Sequence, residues 1–255
     1  MRKIAIRLFT RLLAPMAALA MVLPAQAQDL VVSAAASLTQ AFRDVGAQYE
    51  KAHPGRKVVF NFAASGALLA QMQQGAPVDV FASADQLTMD RAAGAKLLAE
   101  GSRADFARNT LVVVLPSSSK LQPTALKDLA TPAFARLASG TPASVPAGKY
   151  TADAVAGAGL ADALQPRWVF GESVRQVLNY VARAEVDAGF VYRTDALIEP
   201  DKARIAFTVP TSSPVSYPIA QLAASANAQA AKEFIAFVRG ASGQAILQRY
   251  GFSPP

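Results

Sequence analysis

"SAAASLTQAF" (residues 33–42) is the stretch on which the fold turns. It joins an apolar, strand-like run, "LVVSAAA" (residues 30–36), to a stripe in which Leu38, Phe42, Val45 and Tyr49 recur at helical spacing, with Ser37 at the joint. The same change of period comes twice more. "KVVFNFA" (57–63) precedes a helical run through Leu68, Leu69 and Met72, and "VDVFAS" (78–83) precedes "ADQLTMDRAA". Strands alternating with helices imply βαβ units and a mostly parallel sheet.

"NTLVVVLP" (109–116) opens a second series of the same kind. It runs through "ARLASG", a helix after "VPAGKY", the helix "SVRQVLNYVAR" (173–183), and the strands "AGFVY" (188–192) and "RIAFTVP" (204–210). After "YPIAQLA" come closing helices that end at "QRYGF". The reading is α/β with two lobes: residues 28–108 plus 212–255 form one, residues 109–211 the other, and the crossings fall near 108–111 and 210–214.

The first 27 residues stand apart from this pattern. Arg2, Lys3, Arg7 and Arg11 precede a short apolar run, "LLAPMAALAMVL", and "AQA" (25–27) supplies small residues for cleavage. This is the form of a secretory signal, expected to be removed near Ala27; the run is too short, with Pro15 inside it, for a membrane span. These residues hold four of the 25 basic side chains and none of the 18 acidic ones, so the mature chain carries 21 bases against 18 acids. So small an excess, with no basic run interleaved with aromatics, excludes a nucleic-acid partner. Cysteine is absent, which excludes disulfides, thiolate metal sites, a cysteine nucleophile and a lipid-carrying cysteine. A monomer exported to the periplasm is expected.

The chemistry sits at the strand-to-helix joints. Ser37 and Gln40 have capping-box spacing, and alone such a serine only satisfies helix N–H groups. Yet Ser65 in "FAASGALL" occupies a similar joint. Pro146 in "SVPAGKY" stands at a first helical position, leaving the N–H groups of Ala147 and Gly148 free, and Ser173 and Val174 open a further helix. In open α/β sheets ligands bind beyond the carboxyl ends of the strands, where such joints lie. Helix N-termini there offer unpaired donors and partial positive charge to an anion.

"AAASLTQAF", "FAASGALLAQMQQGAPVDVFASAD", "VPAGKY", "ESVR", "GFVYRTDA" and the terminal "RYGF", in that order along the mature chain, resemble the periplasmic molybdate-binding proteins. Those are the solute receptors of molybdate ABC importers. The resemblance implies a two-lobe periplasmic-binding-protein fold closing on a dehydrated tetrahedral dianion, molybdate or tungstate. It further implies delivery of that ligand to a membrane permease, no enzymatic activity, no cofactor, and molybdenum held only as its oxyanion without direct metal ligands. Carried over by motif, Ser37 and Ser65 give hydroxyl and backbone N–H donors, Ala147 and Val174 give backbone N–H groups, and Tyr192 gives its hydroxyl. Ala64 and Gly66 flank Ser65 where relatives often carry further serines. A neutral, donor-only pocket suits a ligand whose oxygens can only accept, and leaves a protonated phosphate with an unmet O–H.

Other readings are a receptor for sulfate or another tetrahedral oxyanion, and a periplasmic hydrolase. For a hydrolase Ser65 lacks a nucleophile elbow, and His53, the single histidine, stands in a helix exit without partners. Asp79, Asp85 and Asp90 match no calcium loop and read as structural. Trp168 reads as packing.

Overall fold

The computed structural model describes residues 29–255; the expected signal peptide lies outside them. The first part of the chain runs β1 (Leu30–Ala35), α1 (Thr39–Ala52), β2 (Val58–Ala63), α2 (Ser65–Gln73), β3 (Val80–Ala82), α3 (Gln86–Gly94) and β4 (Ala104–Asn109). The second runs β5 (Leu111–Pro116), β6 (Leu137–Gly140), α4 (Pro146–Gly157), α5 (Ala161–Leu164), β7 (Trp168–Gly171), α6 (Val174–Ala182), β8 (Ala188–Tyr192), α7 (Arg193–Ala196) and β9 (Ala203–Thr208). The chain closes with β10 (Val215–Gln221), α8 (Ala228–Arg239) and α9 (Ala241–Arg249).

These strands form two five-stranded sheets, in the orders β2-β1-β3-β10-β4 and β7-β6-β8-β5-β9. Four strands of each sheet run the same way and one runs against them, β10 in the first and β5 in the second. The sheets are therefore mixed in pairing, because each reversed strand sits between two others. The chain passes from the first sheet to the second through Thr110 alone, and returns through residues 209–214.

β10 contains Pro218 although it lies inside its sheet. Proline lacks the ladder N–H and is tolerated where pairing is already broken. Accordingly the register against β4 shifts between Tyr217 and Pro218.

Packing follows the apolar stripes. Leu38, Phe42, Val45 and Tyr49 are all fully buried, and the Phe42 ring meets Phe106 and Phe234 at centroid distances of 5.6 and 6.2 Å. Full burial of each such side chain stabilises by about 1.5–3 kcal/mol, so Phe42→Ala would breach the first lobe's core. In the second lobe Val174, Val177, Leu178 and Val181 give α6 one apolar face. That face lies close on β8, where a Cβ added at Gly189 would come within 2.6 Å of the Val181 side chain.

The structure departs from the sequence reading in several places. β4 and β7 were not legible as strands, and β3 is three residues long where six were expected. Ser37 does not cap α1. It lies within a 3-10 turn, Ala36–Leu38, which delays the helix start to Thr39 and leaves the Ser37 hydroxyl to other work. His53 stacks on Tyr49 and its Nδ1 lies 2.9 Å from the Tyr49 carbonyl oxygen, a helix-end role. Asp79 accepts from the Val31 N–H and the Ser225 hydroxyl, and Asp85 caps α3 by accepting from the Thr88 N–H. Trp168 packs against Phe170 and Phe190.

Candidate anion site between the lobes

Strand-to-helix joints of both sheets meet at one small cavity. Ala35, Ala36 and Ser37 line it from the end of β1, Ala64 and Ser65 from the start of α2, and Ala84 from the end of β3. The second lobe contributes Val145, Pro146 and Ala147 at the start of α4, Val174 at the start of α6, and Tyr192 at the end of β8. The five residues singled out in the sequence thus surround a single space. No charged side chain lines it. A wider cleft between the lobes, lined by Asp85, Arg108, Lys149 and Asp153 among others, shares no residue with it.

Local sequence explains each donor. Pro146 occupies the first position of α4 and Val174 the first position of α6, whose Ser173 cap accepts from the Gln176 N–H. The N–H groups of Ala147 and Val174 belong to first turns, which have no intrahelical acceptors, and neither donates to a backbone carbonyl elsewhere. Gly148 lets α4 begin hard against β6, since a Cβ there would lie 2.0 Å from the Gly140 carbonyl oxygen. Close approach of this kind requires glycine.

The serines and the tyrosine are held by defined partners. The Ser65 hydroxyl oxygen accepts from the Ala84 N–H at 3.0 Å. The Ser37 and Tyr217 hydroxyls lie 3.0 Å apart, and Tyr217 also accepts from the Asn109 side-chain amide at 3.2 Å. The Tyr192 hydroxyl donates to the Ala84 carbonyl oxygen in the other lobe at 3.3 Å. Burial, the largest cause, raises the pKa of both tyrosines well above 10, so both stay protonated.

One ion pair stands behind the cavity. Arg175 Nε lies 2.8 Å from Oδ1 of Asp195, a fully buried carboxylate whose other oxygen accepts from the Tyr192 N–H at 3.2 Å. The two groups are close without being aligned as a hydrogen bond. Burial pushes the Asp195 pKa up to about 6, against the opposing attraction of Arg175. Arg175 Nη2 also donates to the Ser37 carbonyl oxygen at 3.2 Å, and the Gly66 N–H donates to the Ser144 carbonyl oxygen at 3.0 Å, so both contacts bridge the lobes.

Tyr217, Asn109, Arg175 and Asp195 were not anticipated from the sequence. Tyr217 lies 180 positions from Ser37, and no local pattern links them. Arg175 does follow Val174 directly in "ESVR", which is the one signal that pointed near it. Among the described residues no cluster of histidine, cysteine, aspartate or glutamate could hold a metal ion, and no helix is long and apolar enough to cross a membrane.

Comparison with known proteins agrees with this architecture. The molybdate-binding protein ModA of Escherichia coli is 38% identical over 235 residues, covering 88% of each chain. ModA of Haemophilus influenzae is 33% identical over 239 residues, covering 90% of this chain and 91% of that one. The solved structure of the Azotobacter vinelandii periplasmic molybdate-binding protein superposes with a TM-score of 0.79 at 26% identity, covering 89% of this chain and 99% of that one. Residues 30–253 match the family model for bacterial extracellular solute-binding proteins, and the chain belongs to that family.

Proposed function

We propose that this protein captures molybdate, and tungstate with it, in the periplasm and delivers it to the membrane permease of an ABC importer. One observation carries the reading: five residues that carry hydrogen-bond donors, from four joints and a strand end, line one cavity that has no charged lining. Ser37, Ser65, Ala147, Val174 and Tyr192 are the ligand-binding residues in this reading. An oxyanion that is fully ionised at neutral pH can only accept, so it suits such a shell, and the helix N-termini supply partial positive charge without a counter-ion. The molybdate-binding relatives support the choice of ligand.

The two sheets act as two lobes, and Thr110 with residues 209–214 act as the hinge about which they close. The family is one of extracellular solute-binding proteins, and in this reading the protein binds its ligand without turnover. The leader at residues 1–27 directs export and is cleaved near Ala27. The exported protein is a monomer.

The test is calorimetric titration of protein lacking residues 1–27 with molybdate, repeated with sulfate and with phosphate present as competitors. Tight 1:1 binding that survives excess sulfate is expected. Displacement by sulfate would make the protein a broader oxyanion receptor, and no heat with any oxyanion would overturn the reading.

A further inference from the structure

The last residues of the chain touch both lobes where the backbone crosses between them. α9 is closed by Gly251 at φ +87°: the Gly251 N–H donates to the Gln248 carbonyl oxygen at 2.9 Å and the Phe252 N–H to that of Leu247 at 3.1 Å. This glycine-closed helix end turns the tail away from the helix axis. Ser253 then pairs with Arg108 at the end of β4 through two backbone hydrogen bonds, of 2.8 and 3.0 Å, just before the Thr110 crossing. Phe252 is buried, with its ring 5.4 Å from that of Tyr217, whose hydroxyl lies 3.0 Å from that of Ser37.

The second lobe comes down on this tail through α7, which directly follows Tyr192. The Arg193 N–H donates to the Thr110 carbonyl oxygen at 2.8 Å, and the Thr194 hydroxyl accepts from the Asn109 side chain at 2.8 Å, so α7 is seated on the crossing itself. Leu197, at its end, lies over Gly251. A Cβ added to that glycine would come 2.8 Å from Leu197 Cδ1 and 3.7 Å from Arg193 Nη1 and Thr194 Cγ2. With a side chain at residue 251, Leu197 or the whole of α7 must give way.

We infer that the C-terminal tail is the stop against which the two lobes close, with Gly251 the seat for Leu197, so that these two are positioning residues for the oxyanion site. The inference rests on the oxyanion reading above. Tyr192 and α7 are consecutive, so the height of α7 on Gly251 sets how far the Tyr192 hydroxyl reaches into the cavity it shares with Ser37. A donor displaced by about 1 Å no longer makes its hydrogen bond, so a small error in the stop is felt at the ligand. The tail is fixed to the first lobe on both sides of the seat, by the end of α9 before it and by Arg108 after it. Leu197 itself is 46% exposed, so its contact with Gly251 contributes position more than core.

The experiment compares wild type with Gly251→Asn, Leu197→Ala and the two combined. After glycine, asparagine is the residue best suited to positive φ, so Gly251→Asn keeps the helix end and fills the seat. Thermal melting checks its fold, and Leu197→Trp, which fills the seat from the exposed side, takes its place if Gly251→Asn does not fold. Gly251→Asn is expected to bind molybdate about tenfold or more weakly, through faster dissociation, as for the loss of one hydrogen bond to the anion. Adding Leu197→Ala is expected to restore binding, which relief of backbone strain at residue 251 could not do. The chain lacks cysteine, so spin labels on Gln73→Cys in the first lobe and Asp162→Cys in the second read the lobe separation by themselves. With molybdate saturating, that distance is expected to be longer in Gly251→Asn than in wild type and to return in the combined variant.

Wild-type affinity and separation in the filled variant, or a weakening that Leu197→Ala leaves in place, would overturn the stop alone. A wild-type protein that binds no oxyanion would overturn the receptor reading. The label distances without anion then decide the stop separately: a longer distance in the filled variant supports it, and equal distances overturn it as well.

Discussion

Arg175 of the second lobe donates through Nη2 to the Ser37 carbonyl oxygen of the first, 3.2 Å away. Its Nε meanwhile faces the fully buried Asp195. A single guanidinium therefore joins the lobes and neutralises an internal carboxylate. Arg175→Met removes both functions and leaves Asp195 without its partner. Breaking a buried pair from one side costs about 3–5 kcal/mol. Urea denaturation at pH 7 is expected to show a loss of that size, and a loss below about 1 kcal/mol would mean that the pair carries little.

Val174 permits a clean deletion of one backbone donor. It is the first residue of α6, and Ser173 before it is extended at φ −155° and ψ 161°, a conformation that accepts a following proline. Val174→Pro removes the N–H and keeps the helix start. Stability should change by less than about 1.5 kcal/mol, because the side-chain volume is nearly kept. Molybdate affinity by calorimetry should fall tenfold or more, and an unchanged affinity would remove Val174 from the site.

Ser37→Ala and Ser65→Ala should each weaken molybdate binding at least tenfold, since a hydrogen bond to a charged group is worth about 1.5–3 kcal/mol. Their effects on stability should differ. Ser65→Ala strips the Ala84 N–H of its acceptor in a buried place, at a cost of about 1–3 kcal/mol. Ser37→Ala leaves Tyr217 short of a partner but still accepting from Asn109. Paired calorimetry and thermal melts of the two variants read both quantities, and wild-type affinity in both would dissolve the site assignment.

Asp195 should imprint itself on the pH dependence of stability. Its pKa rises from 3.8 to about 6 on folding, with burial the dominant cause. Between these values the folded state holds more proton than the unfolded chain, so this group's contribution is present at low pH and is lost as pH rises through about 6. The loss amounts to roughly 3 kcal/mol at 1.36 kcal/mol per pKa unit. Carboxylates with lowered values, such as Asp128, slope the other way, so the quantity to measure is wild type minus Asp195→Asn. That difference should decline between pH 4 and pH 6.5 in denaturant titrations. A flat difference would place the Asp195 value near that of an ordinary carboxylate.

Much of this architecture could be read directly. Strand AGFVY coincides with β8, and the Leu38, Phe42, Val45 and Tyr49 stripe is buried as its spacing required. Apolar periodicity reports which side of an element faces the core. It is silent on strand direction, and so the reversal of β5 and β10 stayed hidden. β4, "ADFARN", alternates too weakly, with Phe106 and Ala107 buried side by side, to declare itself a strand. At the site the joints were visible because serine, proline and glycine mark helix starts. The groups behind them were not, because Tyr217, Asn109 and Ser37 come from distant segments that only the folded sheets bring together.

The place of β10 in its sheet has a temporal consequence. This strand is made near the C-terminus yet lies between β3 and β4, and β4 meets no other strand of that sheet. A chain emerging N-terminus first cannot finish its first lobe until about residue 221 is available, although all five strands of the second lobe are already present by Thr208. The lobe that begins first must therefore be completed last, and a chain arrested before Val215 leaves the edges of β3 and β4 open to pairing with other molecules.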